Sequence, residues 1–264
     1  MITTEYAVGS PCWLDLGVPD AAAAKTFYCG VFGWTFQPFA AEGEDHGFFQ
    51  SGGKTVAALG PLDTGARPAW MIYFSTPDVD AVAATVRETG GEVRLDPSDV
   101  DGHGRMAQFS DPQGGQFAAW QPGRTAGLEL VDAPGSLMWV ELHTTDASAA
   151  KDFYGGLFGW DFSDMPLPGG EAGAYTVIGP SGGGQERMHG GLMELPAEAL
   201  THSGGQPYWH PVFHTADCDA AVAEVRELGG SVAMGPEDAE GVGRLAVCLD
   251  PFGADFVVLT PPPM

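Results

Sequence analysis

The sequence predicts an α+β fold present twice in one chain, and three observations predict it. A first block of residues recurs: 9–36 reads GSPCWLDLGVPDAAAAKTFYCGVFGWTF, and 135–162 reads GSLMWVELHTTDASAAKDFYGGLFGWDF. A second block, AWMIYFSTPDVDAVAATVRETGGEV at 69–93, returns as YWHPVFHTADCDAAVAEVRELGGSV at 208–232. A closing pair of strand-like stretches, GRMAQFSDPQGGQFAAW at 104–120, returns as GRLAVCLDPFGADFVVL at 243–259. A repeat at so long a period, with the same order of strand and helix patterns in each copy, marks a duplicated α+β unit of βαβββ type. The first block is offset by 126 residues and the second by 139, so the second half gains 13 residues between them. The Gly-rich stretch from 169 to 191 is the expected place for this gain, as a loop insertion.

Each element has a local cause. Trp13 to Leu16 alternates as a short strand. Asp20 suits a helix N-cap, and the Ala-rich run after it is a strong helix former. Phe27, Val31 and Phe32 share one helical face, and Gly33 stops the helix. Residues 71–75 form a strand, Asp78 caps a second helix with Val79, Val82 and Val86 inward, and Gly90-Gly91 ends it. Two further strands follow, joined by the turn Asp111-Pro112-Gln113-Gly114. The second half repeats the plan. Domains are expected at 1–122 and 134–264, with the Pro- and Gly-bearing stretch 123–133 as linker.

Charge narrows the function. Thirty-five acidic residues against 11 basic give a formal charge of −24, which repels phosphate backbones and anionic membrane surfaces. Neither nucleic acid nor membrane is therefore an expected partner. No apolar run reaches the ~20 residues of a membrane span, and MITTEYAVGSPCW lacks a basic segment followed by an apolar one. Cys12, Cys29, Cys218 and Cys248 form no CxxC pair and sit in apolar segments, as buried thiols of a cytoplasmic protein would.

The order of strand, helix ending in FYxxxFGW, strands, DxDA-helix-GG and strand-DPxG-strand resembles the vicinal oxygen chelate superfamily. That superfamily includes glyoxalase I, extradiol dioxygenases and bleomycin-resistance proteins. The likeness covers nearly the whole chain, twice. It is nearest to two-domain actinobacterial proteins labelled glyoxalase-like or hydroxylase, some of them accessory to aromatic polyketide pathways. The resemblance implies four βαβββ modules forming two cupped mixed sheets with helices outside. It also implies a divalent metal in the cup, held by residues of the first strands and by a Glu of a last strand, and acting as a Lewis acid on two neighbouring substrate oxygens.

The usual ligand positions do not carry ligands. Counting from the capping Asp, the first-strand positions fall on Trp13 and Trp139, the next module's on Met71 and His210, and the last-strand Glu positions on Ala118 and Val257. Only His210 can bind a cation, so no metal ligand set and no cofactor is expected at the family's usual place. Strand alternation places Trp13, Asp15, Met71, Tyr73, Ser75, Gln116 and Trp120 on the first cup face. The second cup face carries Trp139, Glu141, His143, His210, His214 and Asp255. Large rings with a few polar groups suit a flat, partly apolar ligand.

Three readings follow. The first is a metal-independent binding protein for an aromatic or polyketide-like natural product, acting in sequestration, self-resistance or beside a biosynthetic hydroxylase. Its ligand residues are Trp13, Asp15, Met71, Tyr73, Trp120, Trp139, Glu141, His210 and His214, and the protein is a monomer or homodimer. The second is a glyoxalase-, lyase- or hydroxylase-like enzyme in which Glu141, His143 and His210 are catalytic, converging as acid–base groups or as an unusual metal site. The third is a scaffold whose cups are filled by side chains.

Overall fold

Asp20, Asp78, Asp146 and Asp217 each open a helix by the same physics. Their carboxylates accept from the backbone N–H three residues on, at Ala23, Ala81 and Ala149 (2.9 Å each) and Ala220 (3.0 Å). The helices are α1 (Ala21–Phe32), α2 (Val79–Glu88), α3 (Ala147–Phe158) and α4 (Cys218–Glu227). Gly33 and Gly159 end α1 and α3 in the left-handed conformation. The computed structural model describes all residues but 40–42, 44, 63–65, 167–172 and 263–264, and omits the side chain of His202.

Each helix belongs to a βαβββ module. In the first half the strands are β1 (Pro11–Val18), β2 (Thr35–Pro38), β3 (Gly47–Ser51), β4 (Lys54–Pro61), β5 (Ala69–Ser75), β6 (Glu92–Val100), β7 (Gly104–Ser110) and β8 (Gln116–Pro122). In the second they are β9 (Ser136–Thr144), β10 (Trp160–Pro166), β11 (Ala174–Pro180), β12 (Gly190–Glu194), β13 (Tyr208–His214), β14 (Ser231–Ala239), β15 (Gly243–Leu249) and β16 (Asp255–Thr260). They form two eight-stranded mixed sheets, ordered β2-β3-β4-β1-β5-β8-β7-β6 and β10-β11-β12-β9-β13-β16-β15-β14. This is the duplicated vicinal-oxygen-chelate fold.

The structure amends two local expectations. After each GG, three strands follow and not two. The additional β6 and β14 are edge strands whose side chains are mostly exposed, so no apolar alternation announces them. The Gly-rich stretch is not one loop. Of its described part, residues 174–180 and 190–194 are strands, rich in β-branched and bulky residues. The turn 181–184 and a short 3-10 helix lie between them.

Packing divides the chain into two units, and each joins a module of one half to a module of the other. One unit holds residues 1–13, 72–127 and 139–209, and the other holds 14–71, 128–138 and 210–264. In the first unit the core is a ring cluster of Phe74, Phe117, Phe153, Tyr154, Trp160 and Trp209. At its centre the Tyr154 hydroxyl donates to Asp111 (3.0 Å) and accepts from the Trp209 indole (2.9 Å). The second unit repeats this with Tyr28 donating to Asp250 and accepting from Trp70, both at 3.1 Å. Each aspartate also closes its own DPxG turn. Asp111 accepts from Gln113 and Gly115 (2.9 Å each), and Asp250 accepts from Phe252 (2.8 Å) and Ala254 (2.9 Å). Thus the FY motif of one half holds the DPxG turn of the other.

Two other repeated marks have the same origin. The Trp160 indole donates to the Gly9 carbonyl (2.9 Å), and the Trp34 indole donates to the Gly135 carbonyl (2.8 Å). In the helix-ending GG pairs, Gly90 and Gly229 take φ of +88° and +89°. A Cβ on Gly91 or Gly230 would press on Phe153 or Phe27, the aromatic residue that precedes Tyr in the other half's FY.

The first unit also buries an imidazole. His189, 1% exposed and edge-on to Trp160, has its pKa pulled down to about 3 by burial. Its ordinary value is 6.5, so below that pH the unfolded chain takes up a proton that the fold refuses. Stability supplied by the neutral ring is therefore whole above pH 6.5 and drains as pH falls toward 3, by at most about 1.4 kcal/mol per pH unit. His189→Gln is expected to flatten the loss between pH 6.5 and pH 4, read from urea midpoints. An unchanged pH profile would refute it.

Candidate functional site

Alternation along β9 sorts its residues. Val140, Leu142 and Thr144 are fully buried, while Trp139, Glu141 and His143 are half-buried on the opposite, cup face. Three hydrogen-bonding neighbours gather on this strand. The His143 Nε2 lies 3.2 Å from Glu141 Oε2, and its Nδ1 lies 2.8 Å from the Tyr208 hydroxyl. The Trp139 indole donates to the Tyr175 hydroxyl at 2.9 Å. Burial, then the charge of Glu141, pushes the Tyr175 phenol well above its ordinary pKa, so it stays protonated and acts as a donor.

On β13, His210 is wholly buried with its Nδ1 3.0 Å from Asp255 Oδ2. Strands β9 and β13 are neighbours in the second sheet. Glu141 and His143 belong to one unit, and His210 with Asp255 belongs to the other. Glu141, His143 and His210 are of residue types that suit the divalent cation the family resemblance implies, and of the three only His210 stands at one of the family's usual positions. Two imidazoles and a carboxylate suit zinc and the neighbouring transition metals. Each imidazole has one nitrogen anchored by an oxygen, at Tyr208 or Asp255, which orients the other for ligation. Glu141 and His143, 3.2 Å apart, are the residues of the first unit that would hold an ion, and it would supply Lewis-acid polarisation of a bound oxygen.

The other sequence-derived residues are spread more widely. His214 lies at the end of β13, outside this cluster. Burial lowers its pKa against the opposing charge of Asp132. In the first half Trp13 lies nearly parallel to Trp120, with ring centroids 6.4 Å apart and planes 17° off. Trp120 is 7% exposed and its indole donates to the Thr125 carbonyl (3.0 Å), while Tyr73 is 2% exposed and Asp15 and Met71 are half-buried. Gln116 is exposed and accepts from Arg94 (2.7 Å), so it belongs to the surface and not to the cup. Where the second half has Glu141, His143 and His210, the first has Asp15, Gly17 and Met71, which cannot reproduce the donor set. Tyr175, Tyr208 and Gly191 escaped the sequence reading. The signal for Tyr175 was available in Gly190-Gly191, since glycine inside a strand marks a close approach.

A family model described as the Glyoxalase/Bleomycin resistance protein/Dioxygenase superfamily matches residues 12–118 and 136–258. The anthracycline biosynthesis protein DnrV of Streptomyces peucetius is 40% identical over 97% of this chain and 94% of its own length. The anthracycline biosynthesis protein DauV of Streptomyces sp. strain C5 is 39% identical, with the same coverage. Among solved structures, a Mn(II)-bound glyoxalase from Novosphingobium aromaticivorans is similar over 97% of this chain and 89% of that one, with a TM-score of 0.63. At 18% identity this last likeness speaks for the fold alone.

Proposed function

From a chain that belongs to the Glyoxalase/Bleomycin resistance protein/Dioxygenase superfamily, we propose a binding protein for an oxygenated aromatic molecule of the polyketide class, with its site on the cup face of the second half. The observation that carries this reading is the polar cluster of Glu141 and His143 among the rings of Trp139, Tyr175 and Tyr208. Rings of this kind stack on a planar ligand, and the polar groups fix its hydroxyl and carbonyl oxygens. Two relatives named for anthracycline biosynthesis support the ligand class, because an anthracycline carries phenolic hydroxyls beside quinone carbonyls. A second reading, catalysis by the same residues, is favoured by the 3.2 Å approach of His143 Nε2 to Glu141 Oε2. In that reading the cluster moves a proton on the ligand or holds a cation that polarises it.

The test is a fluorescence titration of the full chain with 1,4-dihydroxyanthraquinone. Saturable quenching is expected in the wild type. In Trp139→Ala the affinity is expected to fall, with loss of stacking worth about 0.5–1.5 kcal/mol beyond the buried area. A folded Trp139→Ala that binds as tightly as the wild type would remove this ring from the site.

A further inference from the structure

His189 stands at a place where the other half does with an apolar side chain. Glu141 pairs with Gly191 as Asp15, its counterpart 126 residues earlier, pairs with Ala58. His189 therefore holds the position that Val56 holds in the first half. Both are buried, at 1% and 0% exposure. Valine brings no polar atom there, whereas neither ring nitrogen of His189 makes a hydrogen bond. A buried polar group without a partner weakens a core, so packing alone does not account for the imidazole.

The pieces around this ring are lightly held. His189 lies edge-on to Trp160, with ring centroids 5.6 Å apart, and two residues beyond the 3-10 helix Gln185–Arg187. Residues 1–9 run as a strap, outside any helix or strand, and are tied to both neighbours. The Met1 amino group donates to the Glu186 carbonyl (2.6 Å), Arg187 donates to the Glu5 carbonyl (3.2 Å), and the Trp160 indole donates to the Gly9 carbonyl (2.9 Å). Ile2 is buried, at 3% exposure. The charges that face the ring, the Met1 amino group and the Arg187 guanidinium, are both positive. Trp160, Ile178 and Val140, on the strands beside it, carry no charge. Glu5 and Glu186 are exposed and join these contacts through their carbonyls.

We propose that His189 makes the strap of residues 1–9 and the 3-10 helix a proton-released latch, closed over the neutral imidazole and opened when the ring is protonated. An imidazolium beside two cations in a dry core is disfavoured three times over, by lost water, by the missing acceptor and by like charge. Opening relieves all three, and it breaks a few single hydrogen bonds without breaking a strand ladder. In the open state the ring returns to its ordinary value of 6.5. Each pH unit below that value multiplies the opening equilibrium by about 10. Between pH 7.5 and pH 4.5 the expected rise is therefore about 100-fold.

The experiment is hydrogen–deuterium exchange of the full chain at those two pH values, read by mass spectrometry and corrected for intrinsic exchange. It follows peptides carrying the bonded amides of Gly9, Arg187 and His189, which donate to Ser75, Gly184 and Ile178. Helix α3 of the same unit is the reference. The wild type is expected to show the rise in these peptides and none of that size in α3. His189→Val, which borrows the residue of the other half, is expected to abolish it while keeping the strap closed. Should His189→Val fail to fold, His189→Gln carries the same comparison. An equal rise in a folded His189 variant overturns the inference, as does a wild-type strap whose corrected exchange is the same at both pH values. A rise of the same size in α3 also overturns it, since the whole unit would then be opening.

Discussion

Asp111→Ala is expected to cost roughly 3–5 kcal/mol of stability, among the largest effects of any single change in this chain. The carboxylate is buried and satisfies three donors: the backbone N–H groups of Gln113 and Gly115 and the hydroxyl of Tyr154. Its removal leaves those donors without their acceptor inside the core, and each such group costs about 1–3 kcal/mol. Tyr154→Phe removes one bond and strands the Trp209 indole, so a loss of about 1–3 kcal/mol is expected there. Asp250→Ala should match Asp111→Ala, because Asp250 holds the equivalent three donors. Denaturant midpoints check all three, and a loss at Asp111 no larger than at Tyr154 would show that the turn does not depend on its carboxylate. Burial outweighs these hydrogen bonds and raises both carboxyls above the ordinary range. The folded chain therefore keeps these protons to a higher pH than the unfolded chain does. Their contribution is full at low pH and declines as pH rises through the raised value, the reverse of the His189 effect.

Glu141→Gln is expected to weaken binding of 1,4-dihydroxyanthraquinone by about 10- to 100-fold while leaving the fold intact. The amide keeps the size of the side chain, so the change isolates the charge. The same variant is expected to abolish tight uptake of zinc or manganese where the wild type takes up about one ion per chain, since a neutral amide is a poor ligand beside two imidazoles. Metal analysis after removal of loosely held ions reads the second effect. If wild type and variant retain equal metal, Glu141 is no ligand. If they bind the probe equally, the carboxylate lies outside the ligand site.

The fold was legible because its marks are local and repeated. FYxxxFGW, the capping Asp and DPxG each have a short-range cause, and duplication printed every one of them twice. The sequence could not show that Tyr28 answers to Asp250, or Tyr154 to Asp111, because those partners lie 222 and 43 residues apart. The site was legible only in part. Alternation along β9 gave the face of Glu141 and His143, and the family spacing gave His210. Tyr175 and Tyr208 reach the cluster through side-chain length and through the pairing of strands remote in sequence, which no periodicity reports. His214 shares a strand face with His210, but lies four residues further along, beside Asp132 and outside the cluster.

The reciprocal holding of Tyr and Asp bears on how a duplicated gene ages. A substitution at Tyr28 would be felt at Asp250, in the sister copy, so neither copy can change its FY or DPxG without a penalty levied on the other. The FY and DP residues are the same in both copies. The cup positions have already parted company: Asp15 against Glu141, Gly17 against His143, Met71 against His210. The framework residues thus recur in both copies, while the cup residues differ between them.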